Sequence, residues 1–287
     1  MFGQFCSEPE ESSSGLGLRA TSTVNHYLRL TKNWGLRTTL GFSATDFPGS
    51  NNDDFMLTIA SGPRYIFGPG EISVQPTYSR RWLHGNSFNH QAGVRSDISW
   101  DIVGSQWTLM GNIAARRTFF DDNRHHTFEG NTYSISFTPR YMIDNRSFAS
   151  FEIGYARDHL NAPEHSAHSF TLGAGYFIQS GLGVAFAANF SATRVLNDAP
   201  NRSMDYIDFD SPNLDDIAFC VQEGFMIFCY KNRRDTIWSA NLGIHSWRWN
   251  WRGIFPSLRY SYVRRNSTMS MLQHERHRVE LLANMRF

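Results

Sequence analysis

Side chains change character with a period of two along almost the whole chain, and no other feature restricts its fold as much. A β-strand sends successive side chains to opposite faces. At the C-terminal end Val279, Leu281, Ala283, Met285 and Phe287 share one face. Arg278, Glu280, Asn284 and Arg286 share the other, with Leu282 as the exception. Upstream, Ile254, Pro256, Leu258, Tyr260 and Tyr262 alternate with Ser257, Arg259 and Ser261. The pattern runs back through Trp238–Ile244, Leu182–Ala192, Phe170–Tyr176, Ala149–Tyr155, Tyr133–Tyr141, Trp107–Ala115, Phe88–Trp100, Ile72–Tyr78, Phe55–Phe67 and Leu36–Ala44 to Leu16–Leu28, which makes 13 strand candidates. Most of them, with their flanks, reach the roughly 9–11 residues that a tilted strand needs to cross a bilayer. They fit a period of two and not 3.6, and they are rich in Thr, Ser, Tyr, Phe and Gly.

Composition separates the two all-β architectures that such a pattern allows. Charged residues make up 18% of the chain and aromatic residues 15%, against about 25% charged in a typical soluble domain. The mean hydropathy of −0.41 is still polar, because alternation dilutes the apolar residues. No run of about 18 apolar residues exists, so a membrane-spanning helix is excluded. A soluble β-sandwich has strands of about five or six residues and turns its polar face outward. Here the polar face is rich in Gly, Ser, Thr, Asn and Arg, which suits a narrow hydrated lumen. The expected fold is therefore an all-β, antiparallel transmembrane β-barrel in the bacterial outer membrane, with the lipid of that membrane as a partner. A net charge of +1 supplies no overall field for nucleic acid, and none is expected as a partner.

Connection lengths set the orientation. Short connections at Thr31–Asn33, Gly68–Gly70, Gly104–Ser105, Asp144–Arg146 and Ser180–Gly181 alternate with longer ones at Pro48–Asp53, Asp121–Gly130, Leu160–His165, Leu196–Arg233 and Asn266–Gln273. Outer-membrane barrels have short periplasmic turns and long extracellular loops. Trp247, Trp249 and Trp251 lie in a short turn, where they read as interface anchors or as packing beneath it. Counting back from a periplasmic Phe287 through 13 crossings leaves residues 1–14 outside. Bacterial single-chain barrels have even strand numbers, so the expectation is a 14-stranded barrel that lacks its first strand. Met1–Glu11 has no basic start and no apolar stretch, unlike a signal peptide. The chain therefore reads as one barrel domain, residues 1–287, truncated at its N-terminus.

The order and spacing of several segments resemble the C-terminal barrel of the surface lipoprotein assembly modifier (Slam) family. They are Gly15-Leu-Gly-Leu, Leu30-Thr-Lys-Asn-Trp-Gly-Leu-Arg, Tyr78-Ser-Arg-Arg-Trp, Arg233-Arg-Asp, Gly253-Ile-Phe-Pro-Ser-Leu-Arg-Tyr-Ser-Tyr-Val-Arg-Arg-Asn-Ser and the end from His274 to Phe287. The resemblance implies a 14-stranded outer-membrane barrel that follows a periplasmic helical-repeat (TPR) domain. It also implies a role in bringing surface lipoproteins, or soluble secreted cargo, to the bacterial surface. Against that plan the expectation is a chain without the repeat domain and the first strand, and Asp215–Tyr230 looks like an enlargement atypical of the family. A general diffusion porin is the alternative function; Leu196–Arg233, with Asp205, Asp208, Asp210, Asp215 and Asp216, would be its constriction loop.

Site chemistry is sparse in the sequence. His168 and His245 are candidate catalytic histidines, the latter sharing its face with Ser239 and Asn241, but no motif marks a nucleophile and no enzyme is expected. His125 and His126 with Asp121 and Asp122 do not match zinc spacings, and neither a metal nor a cofactor is expected. Cys220 and Cys229 either close their loop as a disulfide or remain two buried thiols; Cys6 is left over. The lumen-facing candidates are Arg19, Arg37, Arg64, Arg95, Arg116, Arg140, Glu152, Arg259 and Glu280. Together with Asp97, they either pair across the lumen or form selectivity rings; pairing is the expectation for a narrow barrel. Val279, Leu281, Ala283, Met285 and Phe287 resemble the C-terminal signal read by the barrel-assembly machinery, which is thus an expected partner.

Overall fold

In a computed structural model of the chain, which describes residues 17–46, 53–203, 217–223, 226–246, 248–249, 254–269 and 272–285, each of the 13 alternating segments is a strand. The elements are β1 (Leu18–Arg29), β2 (Trp34–Asp46), β3 (Asp54–Phe67), β4 (Gly70–Leu83), β5 (Asn86–Asp101), β6 (Trp107–Phe120), β7 (Gly130–Asp144), β8 (Ser147–Leu160), β9 (Ala167–Gln179), β10 (Val184–Asn197), β11 (Asn201–Ser203), β12 (Ile217–Glu223), β13 (Met226–Lys231), β14 (Arg234–Ser246), β15 (Ile254–Ser267) and β16 (His274–Met285). One 13-stranded antiparallel sheet runs in chain order from β1 to β10 and on through β14, β15 and β16. Its strands are 12–16 residues long, twice the length usual in a sandwich. β11, β13 and β12 form a separate small sheet within the long connection after β10; the sequence pattern gave no sign of it. Short 3-10 turns at Asn123–Phe128 and Pro163–His165 shape two further loops on the same side.

The burial pattern is inverted relative to a soluble domain. Among the described residues the buried hydrophobic side chains are Ala60, Ala162, Ala167, Ala185 and Met269 only. Large apolar side chains stay exposed on one face of the sheet from end to end: Val24, Ile59, Val74, Ile113, Ile135, Phe151, Leu172, Phe190, Leu242 and Leu281. Such a surface is stable against lipid and not against water. The opposite face is concave, because polar residues of β7 and β8 line a single cavity with residues of β1, β15 and β16.

Local chemistry explains the departures from regular pairing. The β3–β4 ladder is interrupted between Ala60 and Arg64, around Gly62 and Pro63. Pro63 has no amide hydrogen to give the ladder. A Cβ on Gly62 would stand 2.0 Å from the Val74 carbonyl oxygen, so only glycine admits this approach. Fully buried Gln75 fills the lumen beside the gap. Its Nε2 donates to the Arg37 carbonyl at 3.0 Å and its Oε1 accepts from Arg95 at 3.0 Å. The β4–β5 connection is a tight turn with positive φ at His84 (52°) and Gly85 (73°), a conformation that suits a two-residue hairpin. It lies on the long-loop side, so the alternation of short and long connections is broken there.

The sheet does not close. β1 and β16 are its two edges and no ladder joins them among the described residues. Thirteen antiparallel strands in sequence leave the two edges running in the same direction. Their side chains nevertheless meet: Arg19 on β1 lies 3.8 Å from Glu280 on β16.

Candidate functional site

The register carries the polar residues of alternate positions to the concave face, and four of the nine lumen candidates gather in one cavity of about 690 Å3 beside the β1–β16 edges: Arg19, Glu152, Arg259 and Glu280. Glu280 is the centre of the group. Arg278 approaches it at 2.7 Å, Arg259 at 3.7 Å and Arg19 at 3.8 Å. Arg259 faces Glu280 directly in the β15–β16 ladder, and Arg278 faces Ser261. Arg276 lines the same cavity and forms no ion pair among the described residues. Arg276 and Arg278 share the face of Glu280 by the same period of two, which would have placed them with the candidates. Glu152 reaches the cavity from β8, opposite Gly173 and close to Asn189 and Ser191. Small residues at these positions leave the cavity open: a Cβ on Gly175 would stand 2.6 Å from both Asn189 Oδ1 and Ser150 Oγ.

A second group lies on β2 and β5. Asp97 pairs with Arg37 at 3.4 Å and with Arg95 at 3.1 Å, and accepts from Asn112 Nδ2 at 2.7 Å. Arg64 donates its Nε to Glu71 at 2.9 Å, and its guanidinium lies 5.2 Å from the centre of the Tyr27 ring. Arg140 instead covers the Phe148 ring at 4.4 Å, and its buried Nε has no hydrogen-bond partner. Arg116 is exposed on β6, with no ion pair among the described residues. A third ionic group joins the outer ends of β14 and β15. The buried Asp235 accepts from Arg233 Nη2 at 2.9 Å and from Arg265 Nε at 3.1 Å. Sequence reasoning noted Arg233-Arg-Asp as a family habit but missed this partnership, because Arg265 is supplied by the next strand.

The structure separates the histidines considered for chemistry. His168 lies on the convex face, where its Nδ1 meets Tyr155 Oη at 2.7 Å and its Nε2 lies 3.6 Å from Asp198. His245 lies on the concave face of β14, opposite Ser257. Among the described residues no serine hydroxyl hydrogen-bonds the His168 ring. His125 packs its ring on Phe88 and Phe120, while His126 turns to Glu129 at 2.9 Å. Asp122 is committed to Arg124, whose side chain and backbone amide hold its carboxyl below the usual carboxylate range. Among the described residues no three potential ligands converge on a metal site.

Of the C-terminal signal, Val279 and Leu281 face outward and are 69% and 81% exposed, open to lipid. Ala283 and Met285 continue β16, and Phe287 lies outside the described residues. Cys220 and Cys229 are directly opposite each other in the β12–β13 ladder; Cys6 is outside the described residues. Trp249 is exposed in the β14–β15 turn, while Trp247 and Trp251 are outside them.

A long antiparallel sheet, apolar outside and ionic within, defines an outer-membrane β-barrel protein. The family model described as surface lipoprotein assembly modifier matches residues 3–287, and the chain belongs to this family. No curated protein matches the chain. Among solved structures, the chain is similar to OmpTΔL8, the loop L8 deletion mutant of the Vibrio cholerae outer membrane protein OmpT. The identity is 9% and the TM-score 0.45, over 89% of this chain and 88% of that one.

Proposed function

We propose that this barrel assists the translocation or surface display of lipoproteins or related secreted cargo. The observation that carries the reading is the family match over nearly the entire chain. The open seam supports it. Edge strands present unpaired N–H and C=O groups, which recruit an extended segment. Because β1 and β16 run the same way, a single strand running in the opposite direction pairs antiparallel with both. Cargo passes as an extended segment along the polar lumen or paired in that seam. A lumen of this strand number is too narrow for a folded domain.

The test is protease accessibility of a co-expressed surface lipoprotein in cells with and without the gene, joined to conductance of the purified protein in a planar bilayer. Exposure only with the gene, and little conductance, is expected. Equal exposure in both strains together with steady ohmic channels would establish a diffusion porin instead.

A further inference from the structure

Charge pairing inside the lumen is not the same everywhere. Arg64 and Glu71 meet one to one. At the wall formed by β1, β15 and β16, the guanidiniums of Arg19, Arg259 and Arg278 converge on the single carboxylate of Glu280. Only Arg278, at 2.7 Å, comes within hydrogen-bond reach of it. Arg259 at 3.7 Å and Arg19 at 3.8 Å are drawn to the charge without a hydrogen bond. Arg276 adds a fourth guanidinium to the same cavity, and the residue opposite it in the β15–β16 ladder is Val263.

Burial divides this group in two. The Glu280 side chain is 11% exposed, whereas those of Arg19, Arg259 and Arg278 are 40%, 48% and 40% exposed. The carboxylate is a covered anchor and the guanidiniums are its open rim. A carboxylate offers about four lone-pair sites, and each guanidinium carries five N–H donors in a fixed fork. Among the described residues the rim therefore presents donors to the cavity that Glu280 does not engage. The convergence on Glu280 also shows which group the rim recognises, since guanidinium and carboxylate match through two parallel hydrogen bonds.

The rest of the lining differs. Asn189, Ser191, Asn241 and Ser261 contribute amide and hydroxyl groups, which hydrogen-bond a peptide main chain without choosing among side chains. Glu152 stands exposed on β8 at the far side, so like-charge repulsion holds a ligand's carboxylate to the arginine side. Spacing supplies a further restriction. Arg276 and Arg278 are two residues apart on β16, hence about 6.8 Å apart along the strand at about 3.4 Å per residue. Alternate side chains of any extended polypeptide stand at that same interval. A chain lying along β16 with an acid at every second position sets one carboxylate against each of these arginines, while Arg19 and Arg259 flank it from β1 and β15.

We propose that this cavity is a binding site for an acidic extended polypeptide segment, one with Asp or Glu at alternate positions, whose carboxylates are taken by Arg276 and Arg278 and flanked by Arg19 and Arg259. The proposal rests on the translocation reading and names the chemistry of the segment that the lumen receives.

The experiment uses the full chain in detergent and fluorescence anisotropy of labelled probe peptides. The probes are a short peptide alternating Glu and Ser, the same peptide with Gln for Glu, and a peptide of the first composition with all its Glu in one block. Free glutamate and inorganic phosphate serve as competitors. Binding of the alternating Glu peptide is expected, with weaker binding of the block peptide and none of the Gln peptide. Arg276→Gln and Arg278→Gln should each weaken binding about five-fold, which is about 1 kcal/mol, the upper end for a solvent-open ion pair. Glu280→Gln should act in the opposite sense and strengthen binding, because it removes the internal carboxylate that competes for the same donors; damage to the fold does not do this. Arg117→Gln, next along β6 from the lumen candidate Arg116 and so on the opposite face, should leave binding unchanged. Folding of each variant is checked by its anomalous migration on an unboiled gel.

Equal binding of the alternating Glu peptide and either control peptide would overturn the proposal. So would unchanged binding by folded Arg276→Gln and Arg278→Gln, weaker binding by folded Glu280→Gln, or displacement of the peptide by inorganic phosphate at lower concentration than by glutamate, which would make this a phosphate site. Failure of the two readings is distinguishable. Surface exposure of the lipoprotein without the gene, beside selective binding of the acidic peptide, would count against translocation and not against the site. Exposure that needs the gene, beside equal binding of the Glu and Gln peptides, would remove the site and leave translocation standing.

Discussion

Asp235 is the residue on which the outer end of the β14–β15 hairpin depends. It is fully buried between Arg233 and Arg265, whose side chains are themselves mostly covered. Removing one member of a buried pair leaves the others' charges uncompensated and costs about 3–5 kcal/mol. Asp235→Ala should therefore lower the urea midpoint for unfolding from lipid vesicles, followed by tryptophan fluorescence; an unchanged midpoint would contradict the buried triad. His165 offers a second test at this scale. Its ring stacks on Phe128 with centres 4.3 Å apart, joining two outer loops. Burial lowers its pKa below the ordinary value of 6.5. The folded loops favour the neutral ring, so the contribution is complete above pH 6.5 and is lost as the pH falls through the folded value. Hydrogen exchange at Asn161–Ser166, corrected for intrinsic rates, should accelerate at pH 5 relative to pH 7.5. His165→Phe should remove that dependence.

At the scale of elements, the small sheet of β11, β12 and β13 gives the cysteines a concrete geometry. Residues directly opposite in an antiparallel pair have Cα atoms about 4.5–5.5 Å apart, within the disulfide range. In an oxidising envelope, Cys220 and Cys229 are expected to form an intramolecular disulfide. Mass spectrometry of the unreduced tryptic digest reads it directly, and alkylation of both thiols without reductant would refute it. β16 is both an edge strand and the bearer of the outward Val279 and Leu281. Deleting Phe287 should reduce membrane insertion several-fold while leaving synthesis intact; equal outer-membrane levels of the deletion and the parent would remove the assembly signal from consideration.

For the molecule as a whole, the seam is the dominant energetic liability. Each unsatisfied backbone group facing hydrocarbon costs several kcal/mol, and among the described residues no ladder pairs the outer edges of β1 and β16. A peptide strand of opposite direction, added to the folded protein, should pair with the two edges, raise resistance to urea and sharpen the anomalous gel migration. Equal stability with and without it would mean that the edges close directly, as a parallel pair. The Arg19–Glu280 approach constrains the geometry. Two long side chains reaching towards each other bring the edges into contact where no ladder joins their backbones among the described residues.

For the large sheet, the sequence by itself determined the 13 strands, their order and the face on which their side chains lie. A period of two is a property of the extended backbone, and a one-residue slip would turn Ile113 or Phe190 into the lumen and Arg116 or Asn189 into lipid. The same alternation assigns the nine lumen candidates to one face. What it did not determine is which of them meet. Arg19 and Glu280 are separated by almost the whole chain and become neighbours only because the sheet curls. Gln75 joins Arg37 to Arg95 only where the ladder opens beside Gly62. Asp235 draws Arg265 from the next strand. Alternation is local and can be read residue by residue. Curvature, shear and the partner across the lumen are set by the packing of all the strands together, and only the tertiary structure decides them.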